Sequence, residues 1–334
     1  MATTVDGAFS EFMKDKVNLD SEDTRKARTS KGNLIDNIHT LGGKDHFFNL
    51  YSEKDISFGS FARKTKIRPL DDIDIMICIS ADTSTYCEYS DRFEITVNSK
   101  NSPQTTCCNA NSEILNSTKV INKFISELSL LYDYKNAELH KRGEAATLQL
   151  KSYTWNFDIA PCFFTTPTSD GKAYYLIPDG SGNWKKTDPT KDRDKISEVN
   201  QTHDGRMLDT IRIIKYWNNR PTMPFIPSYT LECLLVSYFD NMTSTASEYI
   251  DFRFRDALYH ISQSIYYSVN DPKGIQGDLN TLSFEEQKKI SDRAFSDYNK
   301  AVEAVNFETQ DRDYKASIKK WGTILGSNFP IYTE

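Results

Sequence analysis

The chain has 334 residues, 38% hydrophobic, 26% charged and 12% aromatic; this is too apolar for a disordered polymer and too long for one simple core, so two lobes with a cleft between them are expected. Forty-one Lys and Arg against 47 Asp and Glu leave a formal net charge of −6, the wrong sign for a protein held to nucleic acid over its whole surface, so nucleotide binding must be local. No apolar run reaches the roughly 18 residues of a membrane helix, the N-terminus lacks the basic and apolar regions of a secretion signal, and six cysteines without a CxxC pair read as reduced thiols of a cytoplasmic protein.

In chain order, the first forty residues read as helical, with Arg25, Lys26, Arg28 and Lys31 ahead of Leu34, Ile35 and Ile38 and a stop at Gly42-Gly43. From Ile56 the period changes to two. Ile73, Ile75, Ile77 and Ile79 then share one face of a strand, and Asp72, Asp74, Met76 and Cys78 share the other. Residues 112–132 carry a helical stripe of Ile114, Ile121, Phe124, Ile125, Leu128 and Leu131, which predicts a helix packed on the sheet. Thr147 to Phe164 is rich in strand formers, and Ala173 to Ile177 with the turn 179–183 and Trp184 reads as a hairpin. The charged stretch Lys185 to Asp194, with Pro189 inside it, reads as a linker, and the chain beyond it as helical. Ser283 and Glu286 form a capping box ahead of Ile290, Ala294, Tyr298, Ala301 and Val305. The expected fold class is α+β, with a mixed-sheet lobe over 1–200 and a helical lobe over 201–334.

The informative segment runs from Phe58 to Ile77. Asp72 and Asp74 lie two residues apart on one strand face, where like charges repel unless a cation stands between them. A hard divalent cation such as Mg²⁺, completed by water and substrate phosphates, suits such oxygen ligands. The plain alternative is a solvated strand face. Upstream, Gly59-Ser60 can turn the backbone toward a phosphate, and Arg63, Lys64, Lys66 and Arg68 supply a local positive field. A third carboxylate is expected on a neighbouring strand, and Asp158 is its candidate, because Trp155, Phe157 and Ile159 would face the core and leave Asp158 on the opposite side. Asp71 is expected to face away with Ile73.

Gly59-Ser60, then Thr65-x-Ile67-x-Pro69, then Asp72-x-Asp74 and a distant Asp158 followed by Pro161 resemble the polymerase-β-type nucleotidyltransferases. Ile177-Pro178, Trp184, Thr187-Asp188-Pro189, Lys215-Tyr216-Trp217, Ser228-Tyr229, Glu232, Trp321, Gly326, Phe329 and Pro330 extend the resemblance to the cGAS/DncV-like nucleotidyltransferases of anti-phage signalling, over residues 47–330. The resemblance implies a polymerase-β-like catalytic lobe, a helical nucleotide-binding lobe and an active site in the cleft between them. It implies Asp72, Asp74 and Asp158 as catalytic metal ligands for Mg²⁺ or Mn²⁺. It also implies Gly59, Ser60, Lys215, Ser228 and Tyr229 as nucleotide-binding residues, with Lys215 as a mobile cation for the γ-phosphate and Tyr229 as a base-stacking ring. Tyr229→Phe is then expected to be nearly silent.

The activity so implied is condensation of NTPs, ATP and GTP among them, into a cyclic di- or trinucleotide second messenger in CBASS defence. A downstream effector is then its partner, and a monomer is expected. Transfer of one nucleotide to a small molecule, a protein or an RNA end is the alternative, as is a non-catalytic scaffold, although retention of three carboxylates argues against the scaffold. No His/Cys cluster supports a zinc insertion for DNA, so long double-stranded DNA is not expected as an obligatory activator. A short RNA or another anion remains open as one.

Overall fold

The alternation in β2 (Asp72–Cys78) forms a strand second from one edge of a nine-stranded sheet among the described residues, which in this computed structural model are 2–44, 46–169, 171–221 and 224–334. Two units are defined by their internal contacts: 22–62 with 70–190, and 1–21 with 63–69 and 191–334.

In the first unit α2 (Ser21–His39) leads to β1 (Ile56–Phe58) and a single helical turn, α3 (Gly59–Ala62). After β2 come β3 (Thr85–Glu88) and β4 (Phe93–Thr96), α4 (Ser117–Leu130) and the hairpin β5 (Glu138–Arg142) and β6 (Ala145–Gln149). Next are β7 (Asn156–Phe164) and a second hairpin, β8 (Tyr175–Pro178) and β9 (Trp184–Thr187). The strand order is β1-β2-β7-β8-β9-β4-β3, with β5-β6 attached through β7. β2 and β7 run parallel, β1 antiparallel to β2, and β6 antiparallel to β7. Ile73, Ile75, Ile77, Phe157 and Ile159 are buried, each contributing roughly 1.5–3 kcal/mol of transfer free energy.

Two expectations shift here. The helix of residues 112–132 starts only at Ser117: Asn116 caps it by accepting from Lys119 N at 3.1 Å, while Ile114 bridges Thr96 instead. The charged stretch 185–194 is not a linker. Lys185 and Lys186 pair with Ile177 and Leu176 in the hairpin, and Pro189 opens α5 (Pro189–Thr202), where its missing N–H costs nothing.

The second unit is helical: α1 (Val5–Phe12) with a π-helical turn (Met13–Val17), most of α5, α6 (Arg206–Asn218), α7 (Ser228–Asp240), α8 (Ile250–Ser264), α9 (Phe284–Thr309) and α10 (Tyr314–Leu325). The first 21 residues and the 63–69 loop belong to this unit and not to a lobe running from 1 to 200, for reasons of packing. Phe9 meets Trp321 and Phe329 edge-on at 5.0 Å, Phe12 meets Tyr216 at 4.9 Å, and Ala2 bridges Tyr332. Arg68 donates from its main chain to Val17 O and from its guanidinium to the carbonyls of Lys14 and Asn18. The capping box forms as expected, and Ile290, Ala294, Ala301 and Val305 are buried below it.

Candidate active site

Strand register sets the carboxylates. Asp74 pairs directly with Asp158 across the parallel β2–β7 ladder, and Asp72 pairs with Asn156, so Asp72, Asp74, Asn156 and Asp158 occupy one face within neighbouring strands about 4.8 Å apart. Beyond them the same face becomes apolar, with Met76, Cys78, Ala145, Ala160, Cys162, Tyr175 and Ile177 in one cluster. The polar patch is thus confined to the entrance of β2 and β7. Asp71 is exposed, and its main-chain carbonyl accepts from Asn156 N at 2.9 Å.

Gly59 bounds the patch. Its φ of +71° suits glycine, and a Cβ there would stand 1.7 Å from Asp74 Oδ2, so the carboxylate lies where any other side chain would begin. Ser60 follows in α3.

Thr147 was not singled out by sequence reasoning. It faces Asp158 across β6–β7 and donates from Oγ1 to Asp158 Oδ1 at 2.6 Å, a short charge-assisted bond that fixes the carboxylate's rotation. Nothing in the local pattern of Thr147 marks it, because the contact depends on non-local register.

The donor set fits a hard divalent cation. Three carboxylates lie on one face, and Asn156 Oδ1 beside them is buried without a hydrogen-bond partner in the chain. Among the described residues no three His, Cys, Asp or Glu side chains form a ready metal cluster.

The helical unit brings Lys215 and Tyr229 into one network. Lys215 Nζ lies 2.8 Å from Glu232 Oε1, and Arg63 Nε donates to Glu232 Oε2 at 3.0 Å. The Arg63 guanidinium stands 5.2 Å over the Tyr229 ring. Burial raises the cost of the Glu232 carboxylate, yet Arg63 and Lys215 hold it below the ordinary carboxylate range. Burial likewise lowers Lys215, with Glu232 opposing. Lys215 is 5% exposed and is thus a fixed, paired cation, not the mobile point charge expected from the sequence. Ser228 is exposed at the start of α7.

Two further expectations change. Arg63 and Arg68 do not form a common phosphate field, since Arg63 pairs with Glu232 and Arg68 binds main-chain carbonyls and Asp20. The Tyr229 hydroxyl is not idle: it lies 2.7 Å from Asp192 Oδ1 and 2.9 Å from Asp271 Oδ1, and accepts from Lys273 Nζ at 2.8 Å. Burial, together with Asp192 and other neighbours, pushes that hydroxyl far up.

No family model matches the chain. A probable cyclic nucleotide synthase of Bacillus cereus (strain VD146) is 41% identical over 336 aligned positions, covering 100% of both chains. Among solved structures, the complex of CdnC from E. coli MS115-1 with HORMA-deltaN has a TM-score of 0.66 at 18% identity over 97% of each chain. CdnC with ATP has a TM-score of 0.64 at 16% identity, over 97% of this chain and 98% of that one. Escherichia coli DncV with 3′-deoxy GTP has a TM-score of 0.56 at 12% identity, over 83% of this chain and 70% of that one. The fold class is accordingly α+β, with the mixed sheet and helical C-terminal region of the CdnC and DncV folds. At 41% identity over its full length, the chain belongs to the cGAS/DncV-like nucleotidyltransferases, the family of the cyclic nucleotide synthases.

Proposed function

We propose that the chain is a Mg²⁺-dependent synthase that joins NTPs into a cyclic di- or trinucleotide, with Mn²⁺ as an alternative ion. The observation that carries this is the register that sets Asp158 beside Asp74 on paired parallel strands. In each step a ribose hydroxyl attacks an α-phosphorus, a phosphodiester forms and pyrophosphate leaves. The same step within a linear oligonucleotide closes the ring. Asp72, Asp74 and Asp158 would hold the ion, which when bound supplies charge neutralisation at the α-phosphate and the leaving group. Thr147 keeps Asp158 in one rotation. Gly59 gives Asp74 the room it occupies.

Arg63 and Lys215 share the single carboxylate of Glu232 and are cations that a triphosphate could meet, Arg63 standing over the Tyr229 ring. Tyr229 offers its ring to a base, and Ser228 stands one residue before it at the start of α7. We place the enzyme in the cytoplasm, as a monomer whose product acts on a downstream effector in anti-phage signalling. Family membership supports that role, and the six free cysteines suit that setting. No helix of the described residues is long and apolar enough to cross a membrane.

The test is incubation with each pair of labelled NTPs and Mg²⁺, followed by mass spectrometry of phosphatase-resistant products. A cyclic oligonucleotide is expected. A nucleotide attached to an acceptor would favour single-nucleotide transfer, and no product with any NTP pair would end the reading.

A further inference from the structure

Around Tyr229 the helical unit buries far more charge than stacking on a base requires. Asp192, Asp271 and Lys273 are 5%, 7% and 9% exposed, and all three reach the same phenol oxygen. Lys273 Nζ also lies 3.4 Å from Asp192 Oδ2 and 3.4 Å from Asp271 Oδ1, and 4.1 Å from the ring centroid. Asp271 is itself fixed by the main-chain N–H groups of Lys273, Ile275 and Gln276, which fold the 271–276 turn around it.

Burying ions generally stabilises less than apolar packing of the same volume. A fully bonded cluster of this kind holds one side chain in one orientation. A phenylalanine in an apolar pocket would fill the space without it. We infer that Lys273, with Asp192 and Asp271, is the positioning residue that fixes the Tyr229 ring for stacking on the nucleotide base. This rests on the nucleotide-site reading above. Lys273 is not thereby a catalytic residue, since its ammonium acts through the phenol oxygen. The role deepens the site in one respect: base affinity is set by a loop residue 44 positions along the chain from the ring it orients.

The test separates base from phosphate. Isothermal titration calorimetry on the full chain would use non-hydrolysable analogues of the four NTPs, scored on the tightest, and inorganic triphosphate. Lys273→Met and Tyr229→Phe are each expected to weaken the analogue about tenfold, near the lower end of what a base stack contributes. Inorganic triphosphate should bind each variant within about twofold of wild type. Thermal melts identify folded variants. Should Lys273→Met not fold, Tyr229→Phe, which removes one oxygen, carries the test alone. An unchanged analogue affinity, or an equal loss for both probes, would overturn the positioning role. Wild type binding neither probe would instead overturn the nucleotide-site reading on which the role depends.

Discussion

The two polar regions of the molecule treat charge in opposite ways. On the sheet, Asp72, Asp74 and Asp158 gather like charges on one face, and Asn156 Oδ1 beside them has no partner within the chain. In the helical unit, Arg63, Lys215 and Lys273 are matched by Asp192, Glu232 and Asp271, and these groups are joined through one tyrosine. The first arrangement is where we propose that a divalent cation binds. The second is complete and holds a shape. Mutations should therefore act on chemistry at the sheet, and on stability and nucleotide affinity among the helices.

The largest effect is expected at the carboxylates. Asp72→Asn, Asp74→Asn and Asp158→Asn should each lower product formation by about a thousandfold or more, because the charge that balances the ion is lost. The melting temperature should stay level or rise, since a like-charge repulsion is removed. Activity within tenfold of wild type in any of them, or loss of cooperative melting in all three, would break the contrast. Asp71→Asn, at an exposed position, should leave the rate nearly unchanged.

Glu232→Gln should show the opposite pattern. It leaves two largely buried cations, Arg63 and Lys215, sharing a neutral amide, and stability should fall by about 3–5 kcal/mol in urea titration. A loss below about 1 kcal/mol would mean that the network is solvated in solution, and the contrast would be wrong on the helical side.

Smaller effects grade the sheet site. Gly59→Ala forces Asp74 away from a Cβ that would stand 1.7 Å from its oxygen, and about a hundredfold loss of rate is expected from misplacement on that scale. Thr147→Val keeps the strand and removes the bond to Asp158, for about a tenfold loss at saturating substrate. Equal rates for Thr147→Val and wild type would refute the orienting role of the hydroxyl.

Legibility followed the same division. The period of two in β2 is local, so Asp72 and Asp74 could be placed on one face, and the alternation around Phe157 placed Asp158, from sequence alone. Thr147 depends on the β6–β7 register and left no local trace. The helical network is more distant still. Asp192 lies in a charged stretch that looked like a linker, and Lys273 in a segment without periodicity. Both act on Tyr229 from 37 and 44 residues away. Arg63 and Arg68, five residues apart, looked like one basic patch and take different partners.

The last test takes the rule to a third place, where like charges meet among helices. Glu308 in the last turn of α9 is half-buried, and burial first, then the carboxylates of Asp251 and Asp6, raise it from its ordinary 4.5 to about 7. Burial, with Asp6 adding to it, also raises Asp251, against main-chain N–H groups and Arg255. Glu308 Oε2 and Asp251 Oδ2 are both buried without hydrogen-bond partners in the chain. A carboxyl raised in the folded state stabilises the fold most below its unfolded value, and that contribution disappears as pH rises through the folded value. Wild-type stability attributable to this group should thus decline between about pH 4.5 and pH 7, the window set by the two values. Glu308→Gln, neutral throughout, should remove that decline, so the variant gains on wild type as pH rises through the window. Melting curves of both proteins at half-unit pH steps measure the difference; parallel curves would show that Glu308 ionises freely beside Asp251, and that like charges among the helices need no proton to coexist.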